Sequence, residues 1–195
     1  MIMKNLFLSL ALTLSLGAQA ENSASETTAP NPLVMIKTNQ GDITLRLFRD
    51  KAPITVDNFL SYVDSGHYSG TIFHRVIRKF MIQGGGFLPD MTEKAVGDPI
   101  VNESKNRLHN VRGSVAMART NEPNSATAQF FINHRTNLQL DWAPGREGYA
   151  VFGEVVDGMD AVDFMASAPV ENLGPFGDVP VEPIIITEII RTDAP

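Results

Sequence analysis

Between Leu33 and Leu47 the chain alternates in a way that suits two strands. Leu33 to Thr38 is a β-rich run, Asn39-Gln40-Gly41-Asp42 is a turn signal, and Ile43, Leu45 and Leu47 then alternate with Thr44 and Arg46. A period of two puts the three apolar residues on one buried face, so a hairpin is predicted. The period then changes. Val56, Phe59, Leu60 and Val63 recur at helical spacing, with Thr55 as the expected N-cap, Ile54 and Phe59 as a hydrophobic staple and Gly66 as the stop.

Further along, apolar segments are short and separated by Gly, Pro and Asn: 72–77, 80–83, 114–118, 129–132 and 150–156. Met159, Val162, Met165 and Ala166 predict a second helix that ends before Pro169. Ile184-Ile185-Ile186 and Ile189-Ile190 predict a closing strand. Many short strands with two helices indicate a mainly-β barrel or sandwich, and the pattern alone does not choose between them.

The N-terminus reads differently. Residues 1–20 carry Lys4, an apolar run from Leu6 to Leu16 and the small-x-small pattern Ala18-Gln19-Ala20, which predicts a secretory signal peptide. The run is too short for a membrane span of about 20 residues. No cysteine follows to carry a lipid anchor. Residues 21–31 are rich in Ser, Thr and Ala and are expected to be a flexible tether, leaving 32–195 as one domain. The net charge of −6 becomes −7 once Lys4 is removed, which gives no electrostatic case for nucleic acid. With no cysteine, stability comes from packing alone.

The candidate chemistry concentrates in Phe73-His74-Arg75-Val76-Ile77-Arg78-Lys79-Phe80-Met81-Ile82-Gln83-Gly84-Gly85-Gly86-Phe87. An arginine, an aromatic, a methionine and an amide share one span. No acidic residue inside it neutralises Arg75. An apolar wall with one strong donor suits a neutral, kinked peptide better than a phosphate or a metal.

That stretch resembles the signature of the cyclophilins, the peptidyl-prolyl cis–trans isomerases. Further segments resemble the family in order: Gly113 to Thr120, Ser125 to Asn133, Leu138-Gln139-Leu140-Asp141 and Gly148-Tyr149-Ala150-Val151-Phe152-Gly153. Several linked motifs are far more specific than one. The resemblance implies an eight-stranded antiparallel β-barrel capped by a helix at each end, with the site on the outer wall. It implies that Arg75 is catalytic and that Phe80, Met81, Phe131 and Leu140 form a proline pocket. Gln83 and Gln129 would bond substrate backbone, Ala118 and Arg119 would offer mainly backbone groups, and Tyr149 would line the pocket with its hydroxyl at the rim. His74 is expected to be structural, satisfied within the core beside Arg75, with membership of the pocket as the alternative. Taken singly, Arg75 has the reading of a surface salt bridge and the apolar residues that of ordinary core.

Three positions depart from the best-known eukaryotic members. Gln139 stands in place of a tryptophan that contacts cyclosporin, Tyr149 in place of histidine and Arg119 in place of asparagine. Weak cyclosporin affinity is therefore expected, with Trp142 covering a loop or, as the alternative, swinging into the place of the absent tryptophan. The wording of Met117 to Thr120 and Gly148 to Gly153 is similar to the exported bacterial branch, in line with the export that residues 1–20 predict. The expectation is a periplasmic isomerase that acts on proline-containing, unfolded segments without a cofactor, with monomer as the default state. One rival is a chaperone that holds such segments without catalysis. The other is a hydrolase or metalloenzyme, but His67, His74, His109 and His134 show no close metal-ligand pairing and no nucleophile elbow is present. Glu93, Asp98 and Glu103 read as a solvated acidic loop, and Gly84 to Gly86 lacks the lysine-serine pair of a phosphate loop.

Overall fold

The computed structural model describes residues 31–193; the expected signal peptide and nearly all of the expected tether lie outside the described residues. The elements are β1 (Leu33–Thr38), β2 (Ile43–Leu47), α1 (Pro53–Asp64), β3 (Arg75–Ile77), β4 (Met81–Gly84), β5 (Ser114–Met117), β6 (Phe130–Asn133), β7 (Val151–Asp157), α2 (Met159–Met165), β8 (Val170–Leu173), β9 (Phe176–Pro180) and β10 (Ile186–Thr192). Eight strands form one antiparallel sheet in the order β10-β1-β2-β7-β5-β6-β4-β3. The predicted β1–β2 hairpin is present, with Val34 opposite Leu45 and Ile36 opposite Ile43.

The sheet curls, but its edge strands do not pair along their length. Closure comes from a few backbone bonds, Phe73 N–H to Ile184 O at 2.9 Å, Ile186 N–H to Thr71 O at 2.7 Å and Gly70 N–H to Ile186 O at 2.9 Å. The result is a half-open barrel. Its interior is one apolar cluster to which both helices contribute, Val56, Phe59, Leu60 and Val63 from α1 and Val162 and Met165 from α2. Phe59 lies at the centre, with ring centroids of Tyr68, Phe130 and Phe152 at 5.2, 5.5 and 5.1 Å. The buried Tyr68 hydroxyl donates to Ala128 O at 2.8 Å, so its burial leaves no orphaned polar group.

The start of α1 differs from expectation. Pro53 opens the helix, where its fixed φ and missing N–H cost nothing, and Ala52 holds the cap position. Thr55 therefore falls inside the first turn, and Ile54 is exposed rather than stapled. The cap comes from elsewhere. Glu103 Oε2 accepts from the Thr55 N–H at 2.7 Å and its hydroxyl at 2.6 Å, and Oε1 accepts from the Ile54 N–H at 3.2 Å. A carboxylate at the positive helix end satisfies donors that Ala52 leaves open. Glu103 is thus not part of a plain solvated loop.

The β8–β9 hairpin has no counterpart in the hydrophobic pattern. All of Val170–Leu173 is exposed, so the strand carries no alternation to read.

Candidate active site

Period two builds the site. Ile82, Val115, Phe130 and Ile132 point into the barrel interior. Their chain neighbours Met81, Ala116 and Phe131 form a second apolar cluster with Val151, joined by Phe80, Ala118, Leu140 and Tyr149. Successive side chains on a strand face opposite sides, so this second cluster lies on the outer wall. The strand register lines up one row across it: Arg75 opposite Gln83, Gln83 opposite Phe131, and Phe131 opposite Ala116. Directly paired residues share a face, so charge, amide and ring become lateral neighbours.

Arg75, Phe80, Met81, Gln83, Ala118, Arg119, Phe131, Leu140 and Tyr149 line a single cavity of about 210 Å³. Every expected site residue except Gln129 is on its wall. Gln129 lines an adjoining cavity of about 300 Å³ with Glu93, Thr120, Ser125 and Thr127. Gln83 belongs to both and donates to Gln129 Oε1 at 3.0 Å. Gly86 makes that pairing sterically feasible, because a Cβ there would lie 2.6 Å from the Gln129 side chain. Thr120, Ser125 and Thr127 fall inside segments that the resemblance covers, but nothing in the sequence marked them or Glu93 as the wall of a second cavity.

Phe80 is delivered by a turn with a left-handed residue, Lys79 at φ 61°. His134 fixes that turn. Its Nδ1 accepts from the Lys79 N–H at 3.0 Å, and its backbone N–H donates to Phe80 O at 2.9 Å. Asn137 Nδ2 donates to the same carbonyl at 2.9 Å and to Asn133 Oδ1 at 2.8 Å. Behind Leu140, Asp141 Oδ1 accepts from the Asn110 N–H at 2.7 Å. The far wall closes where Tyr149 N–H donates to Leu140 O at 2.9 Å.

For Ala118 and Arg119 the structure adds detail. The Ala118 N–H is already donated to Gln129 O at 2.9 Å, so it is no free donor for a peptide. Arg119 acts chiefly through its side chain. Its guanidinium donates to Gly148 O at 3.2 Å, Glu147 O at 2.8 Å and Thr120 O at 2.8 Å. Trp142 stays out of the cavity, with Lys105 Nζ 5.6 Å from its ring centroid.

His74 is buried next to Arg75, with its ring 4.6 Å from that of Phe87. Burial, and then the Arg75 charge, lowers its pKa to about 4, so it is neutral at neutral pH. The core does not fully satisfy it, because Nδ1 has no partner among the described residues.

The Arg75 side chain is half-exposed, and its charged neighbour comes from far along the chain: Asp178 Oδ2, 3.8 Å from Nε. Among the described residues no group of three or more His, Cys, Asp or Glu is arranged to hold a metal. Nor is any described helix long and apolar enough to cross a membrane.

A half-open barrel that carries on its outer wall a small cavity, with Phe80, Met81, Phe131 and Leu140 beside the Arg75 guanidinium and the Gln83 amide, defines a β-domain with its candidate site outside the barrel core. Residues 33–191 match the family described as "Cyclophilin type peptidyl-prolyl cis-trans isomerase/CLD". The chain is 52% identical over 153 residues to "Peptidyl-prolyl cis-trans isomerase A" of Dickeya dadantii, covering 78% of this chain and 80% of that one. It is 53% identical over 161 residues to "Peptidyl-prolyl cis-trans isomerase B" of Escherichia coli, covering 80% and 98%. A crystal structure of a Cryptosporidium parvum cyclophilin in the presence of the dipeptide Ala-Pro superposes with a TM-score of 0.72 at 32% identity, covering 83% of this chain and 99% of that one. The chain belongs to the cyclophilin-type peptidyl-prolyl cis–trans isomerase family.

Proposed function

We propose that the protein accelerates rotation about X–Pro bonds through Arg75, with the proline ring seated against Phe80, Met81, Phe131 and Leu140. The X–Pro bond has only a slight trans preference but a rotation barrier of about 18–20 kcal/mol, set by imide resonance. Twisting ends that resonance and turns the imide nitrogen into a better acceptor. A donor aimed at it binds the twisted state more strongly than either planar isomer, which is differential transition-state binding.

The observation that carries this reading is the state of Arg75. Its guanidinium stands at the rim of the apolar pocket, and among the described residues it forms no side-chain hydrogen bond, only the 3.8 Å charge contact. Its donors are available to a ligand. Gln83 beside it supplies a neutral donor and acceptor for substrate backbone, and Tyr149 closes the pocket.

Exchange spectroscopy on a short X–Pro peptide tests the proposal. Arg75→Ala is expected to lower kcat/KM by at least about tenfold with the fold retained, equivalent to roughly 1.4 kcal/mol of lost transition-state stabilisation. A protein that only holds proline segments would bind the peptide without speeding its exchange, and alanine at this position would make no difference to the rate.

Residues 1–20 support export, and a folding role in the periplasm follows from it, because uncatalysed proline isomerisation takes tens of seconds at 25 °C. N-terminal sequencing of the periplasmic fraction is expected to begin at Glu21; an uncleaved cytoplasmic protein would overturn this.

A further inference from the structure

We infer that Asp178, on the β8–β9 hairpin, is a positioning residue that aims the Arg75 guanidinium at the pocket. The inference rests on Arg75 acting as the donor to the imide nitrogen.

The hairpin is held so that the placement of Asp178 is no accident of a free loop. The Phe176 ring lies 5.3 Å from Phe87, and Phe87 lies 4.6 Å from His74, so a chain of edge-to-face aromatic contacts ties the hairpin to the residue next to Arg75. On its other flank Val179 is buried and paired with Glu171. Asp178 itself has φ 59°, a left-handed conformation that Asp and Asn tolerate better than most side chains. The β8–β9 register shifts between the Glu171–Val179 and Leu173–Phe176 pairs, so the left-handed residue lies at the irregular part of the strand, where its carboxylate meets Arg75.

The contact has a particular form. Oδ2 is 3.8 Å from Nε, beyond hydrogen-bond range but close enough for attraction between opposite charges. The guanidinium is planar, with its donors in a fixed fork. An anion held near Nε biases the rotation of that plane and leaves the far edge for a ligand. A true bidentate bridge would have consumed the donors. Both side chains are nearly half-exposed, so the attraction is modest and screened by salt. A bias of this size changes how often Arg75 is productive, not whether it is.

Asp178→Asn removes the charge and keeps a residue suited to the left-handed backbone. Measured with Arg75→Ala and the double variant, it is expected to lower kcat/KM about three- to fivefold, the range of an exposed ion pair. The loss is expected in kcat, with peptide Kd unchanged, and is expected to vanish in the Arg75→Ala background. A salt titration of the wild type needs no variant: kcat/KM is expected to fall toward the Asp178→Asn value at about 1 M salt, and the variant to stay flat. An Asp178→Asn rate equal to or above wild type, a loss confined to Kd, an equal loss without Arg75, or a salt-independent wild type would each overturn the inference. If Arg75→Ala is slow while Asp178→Asn is not, only the role of Asp178 fails. If Arg75→Ala is as fast as wild type, the reading of Arg75 itself fails.

Discussion

The Arg119 guanidinium carbon lies 4.5 Å from the centre of the Tyr149 ring, while its nitrogens hold the carbonyls of Glu147 and Gly148 in the same segment. One side chain thus grips both the face of a pocket residue and the backbone that leads into it. Cation–π stacking and charge-assisted hydrogen bonds act together here.

Arg119→Ala is therefore expected to loosen the Tyr149 wall without touching the group proposed to act on the imide. Peptide titration with exchange kinetics should show KM raised about three- to tenfold and kcat within about twofold, corresponding to roughly 0.7–1.4 kcal/mol of lost binding. Lysine should not restore it, because an ammonium has no planar fork to stack and bridge at once.

Glu103 ties a central loop to α1 through the Ile54 and Thr55 N–H groups and the Thr55 hydroxyl. Glu103→Ala leaves those donors open and is expected to lower unfolding free energy by about 1–2 kcal/mol. Glu103 does not line the pocket, so kcat/KM below the melting range should stay at the wild-type value. Denaturant titration and peptide exchange on the same sample check both halves.

His74 makes stability depend on pH. Unfolded imidazole titrates near about 6.5, whereas burial first, then Arg75, holds the folded value at about 4. Between these values the unfolded chain binds more protons, so stability falls as pH drops from about 6.5 to about 4, by up to roughly 3 kcal/mol. Asp141 adds to the loss at the acidic end. Burial would raise its pKa, but the Asn110 backbone and side-chain N–H groups and His109 prevail and hold it low. Urea unfolding at pH 7 and pH 4 measures the slope, and His74→Phe should flatten its upper part.

Gln139 is exposed and Trp142 lies outside the pocket. Cyclosporin is accordingly expected to bind weakly, and Gln139→Trp to tighten it at least about tenfold, or roughly 1.4 kcal/mol. Calorimetric titration decides it; tight binding by the wild type would sink the expectation.

The sequence made some parts of the fold readable and hid others for physical reasons. The alternation of Ile43, Leu45 and Leu47 showed a strand because each apolar side chain reports its own burial locally. The motif from Phe73 to Phe87 showed four of the nine pocket residues, Arg75, Phe80, Met81 and Gln83, because β3 and β4 are adjacent and antiparallel, so Arg75 and Gln83 meet through a short turn. Glu103 and Thr55, or Arg75 and Asp178, are joined only by the closed fold, and nothing near either partner announces the other. Val170–Leu173 went unread because a fully exposed strand has no periodic burial. The Arg119 side chain escaped for a different reason: its partners are backbone carbonyls, which every residue carries.

Ile82 and Gln83 are consecutive in the chain, yet one fills the interior and the other faces the groove on the outer wall. The groove is the reverse side of the same woven cloth as the core, with no separate lobe to melt early. Heat should therefore leave no half-working form: the curve for lost turnover and the curve for lost ellipticity ought to lie on top of each other.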